Sequence, residues 1–111
     1  MGAFNIVRTT AVCPACHHHV GIPVQFKYGA TWQYDYHVSD QLRWGGNDIG
    51  TPGKHCVVVD GVAEGRCPHC KYDGEWDFYI FIEQDKITRV EPANGAYNFA
   101  SANRTYIVLQ E

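Results

Sequence analysis

Apolar and polar residues alternate strictly over two stretches of the first half of the chain. Val20, Ile22, Val24, Phe26 and Tyr28 are separated by Gly21, Pro23, Gln25 and Lys27, and Trp32, Tyr34, Tyr36 and Val38 by Gln33, Asp35 and His37. A period of two over such lengths predicts strands with one buried face. No segment sustains the i, i+3, i+4, i+7 spacing of an amphipathic helix for three turns, so the expected fold is mostly β. If the two alternating stretches form a hairpin, a two-residue turn at Gly29-Ala30 would put their apolar faces on opposite sides of the sheet. A three-residue loop over 29–31 pairs Tyr28 with Trp32 and Phe26 with Tyr34 and keeps the faces together, so the longer loop or a bulge is expected.

Further along, residues 45–53 hold four glycines and a proline, which predicts a loop with little structure of its own. Cys56 to Val59 reads as a short strand stopped by Asp60-Gly61. Trp76 to Ile82 contains Phe-Tyr-Ile-Phe-Ile, apolar on both faces, as suits a central strand. Gln84-Asp85-Lys86 reads as a hairpin turn into a strand over 87–90. Residues 93–103 are small and polar, a surface loop, and 105–109 form the last strand. Nothing marks a linker, so one domain over residues 1–111 is expected, at a length well below that at which chains divide.

Two short motifs interrupt this pattern: Cys13-Pro14-Ala15-Cys16 and, after fifty intervening residues, Cys67-Pro68-His69-Cys70. A CxxC turn places two sulfurs on one ion while nearby backbone amides point at them, and two such turns close a tetrahedron of soft ligands. That donor set suits zinc or a single iron. The alternative uses of paired cysteines are disulfides, buried thiols and redox motifs. Redox CxxC motifs open helices in α/β units, whereas the flanks here read as strands. Cys13, Cys16, Cys67 and Cys70 are therefore the expected ligands of one Zn2+. Cys56 lies outside both motifs, in Cys-Val-Val-Val, and is expected to be a buried core thiol. His55 beside it would point to the opposite face of a strand.

The two CPxC motifs resemble the knuckles of zinc-ribbon and rubredoxin-like proteins, in which two such turns on β-hairpins clamp one metal. The likeness covers the knuckles and their flanks, about a fifth of the chain. It implies a small antiparallel sheet domain with a four-cysteine site, here with a long β insertion between the knuckles. Many members of that group carry glycine directly after each knuckle; His17 and Lys71 stand there in this chain. His17 is thus expected in a left-handed conformation. His18 and His19 are then solvated or orient the sulfurs, the alternative being that the run supplies further metal ligands. His69 reads as an exposed knuckle residue.

Charge narrows the function. Nine basic residues oppose twelve acidic ones, a formal balance of -3, and four thiolates around a divalent ion would lower it by two more. Between Asp73 and Asp85 lie Asp73, Glu75, Asp77, Glu83 and Asp85 with no Lys or Arg among them, which makes the stretch beside the second knuckle a poor neighbour for phosphates. Nucleic acid is therefore an unlikely partner, although many zinc ribbons bind it. No targeting segment or membrane-length apolar run is visible, and a cytoplasmic location is expected. No hydrolase, metalloprotease, phosphate-loop or deaminase motif is present, and four cysteines leave a zinc no open position, so an enzyme is not expected. The expected function is a structural zinc site in a protein-interaction module, an adaptor or immunity-type protein. The alternatives are a rubredoxin-like single-iron electron carrier and a nucleic-acid-binding zinc ribbon. Arg43, Trp44 and Asn47, on or beside the glycine-rich loop, are the candidate partner-facing residues, the alternative being that Trp32, Tyr34 and Tyr36 are ordinary core and the loop a plain connection.

Overall fold

A computed structural model describes residues 4–46, 48–72, 74, 76–99 and 105–110. Its strands are β1 (Asn5–Val12), β2 (His19–Phe26), β3 (Gly29–Ala30), β4 (Asp35–His37), β5 (Asp48–Ile49), β6 (Cys56–Ala63), β7 (Asp77–Glu83), β8 (Lys86–Pro92) and β9 (Tyr106–Gln110). The main sheet runs β4-β1-β2-β6-β7-β8, and β9 also pairs with β6. β3 and β5 form a small ladder of their own. The fold is mostly β, as the alternation predicts.

Two long hairpins make up the sheet, and each carries one cysteine motif at its tip. β1 and β2 pair antiparallel from Asn5↔Phe26 to Val12↔His19. β6 and β7 pair from Cys56↔Glu83 to Val62↔Asp77. Between the hairpins the direct ladder is short, Val24 to Phe26 against Gly61 to Ala63. The other half of the same β6 edge is taken by β9, through Val57↔Val108 to Val59↔Tyr106.

The expected hairpin between residues 20–28 and 32–38 does not form. β1 lies between those two stretches, antiparallel to β2 and parallel to β4, with Val7 opposite Tyr36. β1 had no strong signature, because its inward positions include Asn5 and Thr9 as well as Val7 and Ala11. Asn5 itself accounts for the crossover. Its fully buried side chain donates to the carbonyls of Tyr28 (3.2 Å) and Ala30 (3.0 Å) and accepts from the Tyr34 amide (3.1 Å). One side-chain amide thus satisfies three backbone groups of the segment that leads from β2 to β4. Trp32, Tyr34 and Tyr36 consequently do not share one strand face: Tyr36 is buried, Tyr34 half-buried and Trp32 exposed.

β6 continues through Asp60-Gly61 instead of stopping there. Glycine suits that position because Val24 on one neighbouring strand and Ile80 on the other fill the space above it. A Cβ at Gly61 would lie 2.8 Å from Val24 Cγ1 and 3.0 Å from Ile80 Cδ1. β7 is buried on both faces, as expected of a central strand. Phe78, Ile80 and Ile82 join Val7, Val24, Phe26, Val57 and Val59 in the main core. Tyr79 and Phe81 face the other way, with Val58, under Tyr97, Phe99 and Ile107. The turn to β8 is shorter than expected, with Gln84 and Asp85 alone at its centre, both at positive φ (50° and 64°), and Glu83 paired with Lys86. Those angles match the twist of the flanking strands.

The sheet curls until its ends meet. After β4, the Ser39 amide donates to Ile87 O (2.7 Å), Ile87 N to Asp40 O (3.0 Å) and Leu42 N to Asp85 O (2.7 Å). The glycine-rich loop is tied down as well, by β5 and by the Asp48 carboxylate accepting from the Gly45 and Gly46 amides. No described helix is long and apolar enough to cross a membrane.

Candidate metal centre

The two hairpin tips are built alike. In the first, the Cys13 amide donates to His18 O (3.0 Å) and the His17 amide to Cys13 O (3.0 Å). In the second, Cys67 donates to Tyr72 O (3.0 Å) and Lys71 to Cys67 O (2.9 Å). Each tip therefore turns through one tight loop, and the residue after each second cysteine lies at positive φ, His17 at 61° and Lys71 at 67°. The left-handed conformation expected at His17 is present, without the glycine that usually carries it. Amides also aim at sulfur: Ala15 N lies 3.4 Å from Cys13 Sγ, and His69 N and Cys70 N lie 3.4 and 3.5 Å from Cys67 Sγ.

Folding brings the two tips together. The four sulfurs of Cys13, Cys16, Cys67 and Cys70 all lie within 4.8 Å of one another. Cys13 Sγ is 3.6 Å from Cys70 Sγ, and Cys16 Sγ is 3.9 Å from Cys67 Sγ. Four sulfurs at about 2.3 Å from one tetrahedral ion are separated by about 3.8 Å. The observed spacings match that figure, and no cysteine is in a disulfide. Cys13 and Cys67 are fully buried, Cys16 half-buried and Cys70 exposed, so the cluster is closed on the core side and reachable from outside.

The four thiols shape one another's titration. Burial pushes the Cys67 thiol up, but the amides of Cys70 and His69 and the thiols of Cys13 and Cys70 outweigh it and bring it down to about 6. At Cys70 the Tyr72 amide pulls down, while burial and the other three thiols push it up to about 12. One member of the cluster ionises easily and another resists, because thiolates at this spacing repel. A divalent ion among them removes that repulsion and favours the deprotonated form of all four. The cluster could hold a metal ion, and its all-sulfur donor set suits zinc or a single iron.

Cys56 sits apart, at the start of β6 between Glu83 and Gln110. It is half-buried rather than fully buried as expected, because β6 begins at the rim of the sheet; burial still pushes its thiol up. His18 and His69 are both exposed, and their rings stack across the two tips with centroids 3.9 Å apart. Neither was expected to meet the other, since nothing in the local pattern of either knuckle pairs them.

Of the expected partner-facing residues, Asn47 lies outside the described residues. Trp44 is half-buried, edge-on to Tyr28 at 5.4 Å, and belongs with the core. Arg43 is exposed and stacks over Tyr34 at 5.0 Å. The large aromatic that faces solvent is Trp32, 60% exposed. Its indole lies against Gly46, where any side chain would collide with it. No family model matches the chain, and no curated protein or solved structure matches it.

Proposed function

We propose that this is a small structural-zinc protein of zinc-ribbon type whose task is to bind another protein, as an adaptor or an immunity-type inhibitor. The observation that carries the metal assignment is the four-sulfur cluster, its atoms all within 4.8 Å of one another, with spacings of 3.6 and 3.9 Å across the two knuckles. A structural rather than catalytic zinc follows from donor chemistry: four thiolates complete the shell and leave no position for substrate. The acidic balance argues for a protein partner over nucleic acid, and a cytoplasmic setting would keep the thiols reduced.

Trp32 and Arg43 are the residues we assign to the partner. Exposed tryptophan and arginine dominate binding hot spots, and Arg43 also borders an open groove of about 470 Å³ lined by Tyr34, Asp35, Tyr36, Asp40 and Gln41. Metal analysis of protein purified under reducing conditions tests the first half of the proposal. Zinc is expected, retained in Cys56→Ser and lost in Cys67→Ser. Red, iron-loaded protein would favour the electron carrier instead. Affinity capture from the source lysate tests the second half. A partner held by the wild type and released by Trp32→Ala or Arg43→Ala supports this surface, and equal capture by both variants moves the interface elsewhere.

A further inference from the structure

Beside the four-sulfur cluster stands a second group of metal-ligating side chains, two from the first tip and one from the second, with Cys16 common to both clusters. The ligand atoms of Cys16, His18 and His69 all lie within 4.8 Å of one another. His18 follows the first knuckle by two residues, and His69 is the third residue of the second. The two tips thus bring together imidazoles that are fifty-one positions apart in the chain.

We propose that Cys16, His18 and His69 form a second, exchangeable site for a borderline divalent transition ion such as zinc or cobalt, with the Cys16 thiolate bridging it to the inner ion. The inference rests on the inner four-sulfur centre proposed above. Two neutral imidazoles and a thiolate match zinc and its neighbours in the first transition row, and they do not match calcium or magnesium, which take oxygen. His18 Nδ1 lies 3.1 Å from Cys16 O, which ties the ring to the first knuckle; with a proton on Nδ1 donated to that carbonyl, Nε2 is the nitrogen left to bind a metal.

Charge favours the second ion as well. Four thiolates and one divalent cation sum to -2, and Cys16, one of the four, has its sulfur within 4.8 Å of a ligand atom of each ring. A thiolate bound to one ion keeps further lone pairs, and Cys16 is half-buried, with part of its surface facing outward. In tetrahedral coordination the N···N and N···S separations are on the order of 3.4–3.6 Å. Closing from at most 4.8 Å to that range requires the two exposed rings to turn out of their stack so that their in-plane lone pairs converge on one ion. Solvent reaches both rings, so a water would complete the shell. Three protein ligands and an open position make this ion the last to load and the first to leave.

The test is a cobalt titration of metal-free, reduced protein, followed by absorption and by dialysis stoichiometry. Two equivalents are expected in the wild type. The first gives the intense thiolate-to-metal band of a four-sulfur centre, and the second adds weaker ligand-field absorption from mixed nitrogen and sulfur donors. In the His18→Ala/His69→Ala double variant the first equivalent and its band persist and the second is lost. Each single variant weakens the second equivalent at least tenfold, and His19→Ala leaves both unchanged. A wild type that binds one equivalent, unaltered in the double variant, overturns the outer site and leaves the inner one standing. A second equivalent that survives the double variant also overturns it. A wild type that takes up no cobalt overturns both centres together.

Discussion

The two ends of the curled sheet are held by different physics. At the knuckle end, two six-residue turns with the same backbone hydrogen bonds place four sulfurs around one point. At the far end, residues 39–42 close on residues 85–87 through single main-chain bonds between segments more than forty residues apart. Each turn of the first end is assembled locally, and the four sulfurs the two turns bring together could hold a cation. The second is complete in itself, but only when the whole chain is in place. A small sheet domain can therefore combine a motif that folds within a few residues and could hold an ion with a seam that needs no ion and exists only in the finished fold.

Removing the metal should give the largest effect. Isolated structural zinc sites bind with roughly 10–16 kcal/mol of apparent free energy, which rivals the entire stability of a small domain. The two hairpins share only a three-pair ladder, so without the ion their tips should separate and the domain should unfold. Chelation under reducing conditions is expected to lower the melting temperature by tens of degrees and to abolish the β signal at 37 °C. Unchanged circular dichroism and melting temperature in the chelated protein would show that the seam and core suffice, and the contrast between the ends would break.

Asn5→Ala comes next. The substitution strands Tyr28 O, Ala30 O and Tyr34 N in the interior, at an expected cost of roughly 2–4 kcal/mol. A urea midpoint that falls while the stoichiometry of the four-sulfur centre is retained would place this loss in the sheet body and not in the knuckles. A midpoint equal to the wild type would mean that the crossover at 28–34 does not depend on Asn5.

Gly61→Ala should cost somewhat less, about 1–3 kcal/mol, since Val24 and Ile80 must move to admit one methyl group. Because Gly61 lies in the ladder joining the hairpins, metal affinity is expected to drop with stability. Affinity unchanged in a destabilised variant would show that the tips hold their geometry without that ladder.

The Arg8–Asp35 pair should give the smallest effect. It bridges β1 and β4 at 2.9 Å on an exposed face, and Arg8 holds the Asp35 carboxyl below its usual range. A carboxyl whose folded value is lowered stabilises above its unfolded value of about 3.9 and loses that contribution as the pH falls through the lowered value. Arg8→Ala should therefore reduce the melting temperature slightly at pH 7, and the difference should shrink as the pH falls through the lowered Asp35 value. A large deficit at neutral pH would mean that β4 is held to the sheet mainly by this pair, not by Tyr36 in the core.

The sequence by itself determined the β character, the central strand and the four cysteines that converge, because period-two alternation and CPxC turns are set by neighbours within a few residues. It also determined the left-handed residue after the first knuckle, since the turn demands it whatever the residue type. Only the tertiary structure decided that β1 separates the two alternating stretches, that β6 runs through Gly61, and that Trp32 faces solvent while Trp44 packs on Tyr28. It likewise decided that His18 and His69 stack beside Cys16. Each of these depends on partners more than a dozen residues away: an asparagine that satisfies three distant backbone groups, two side chains that fill the space above a glycine, a tyrosine against which Trp44 packs, and two hairpin tips that meet. Local pattern carries no record of such contacts, because their free energy is gained only when the separate segments are already in place.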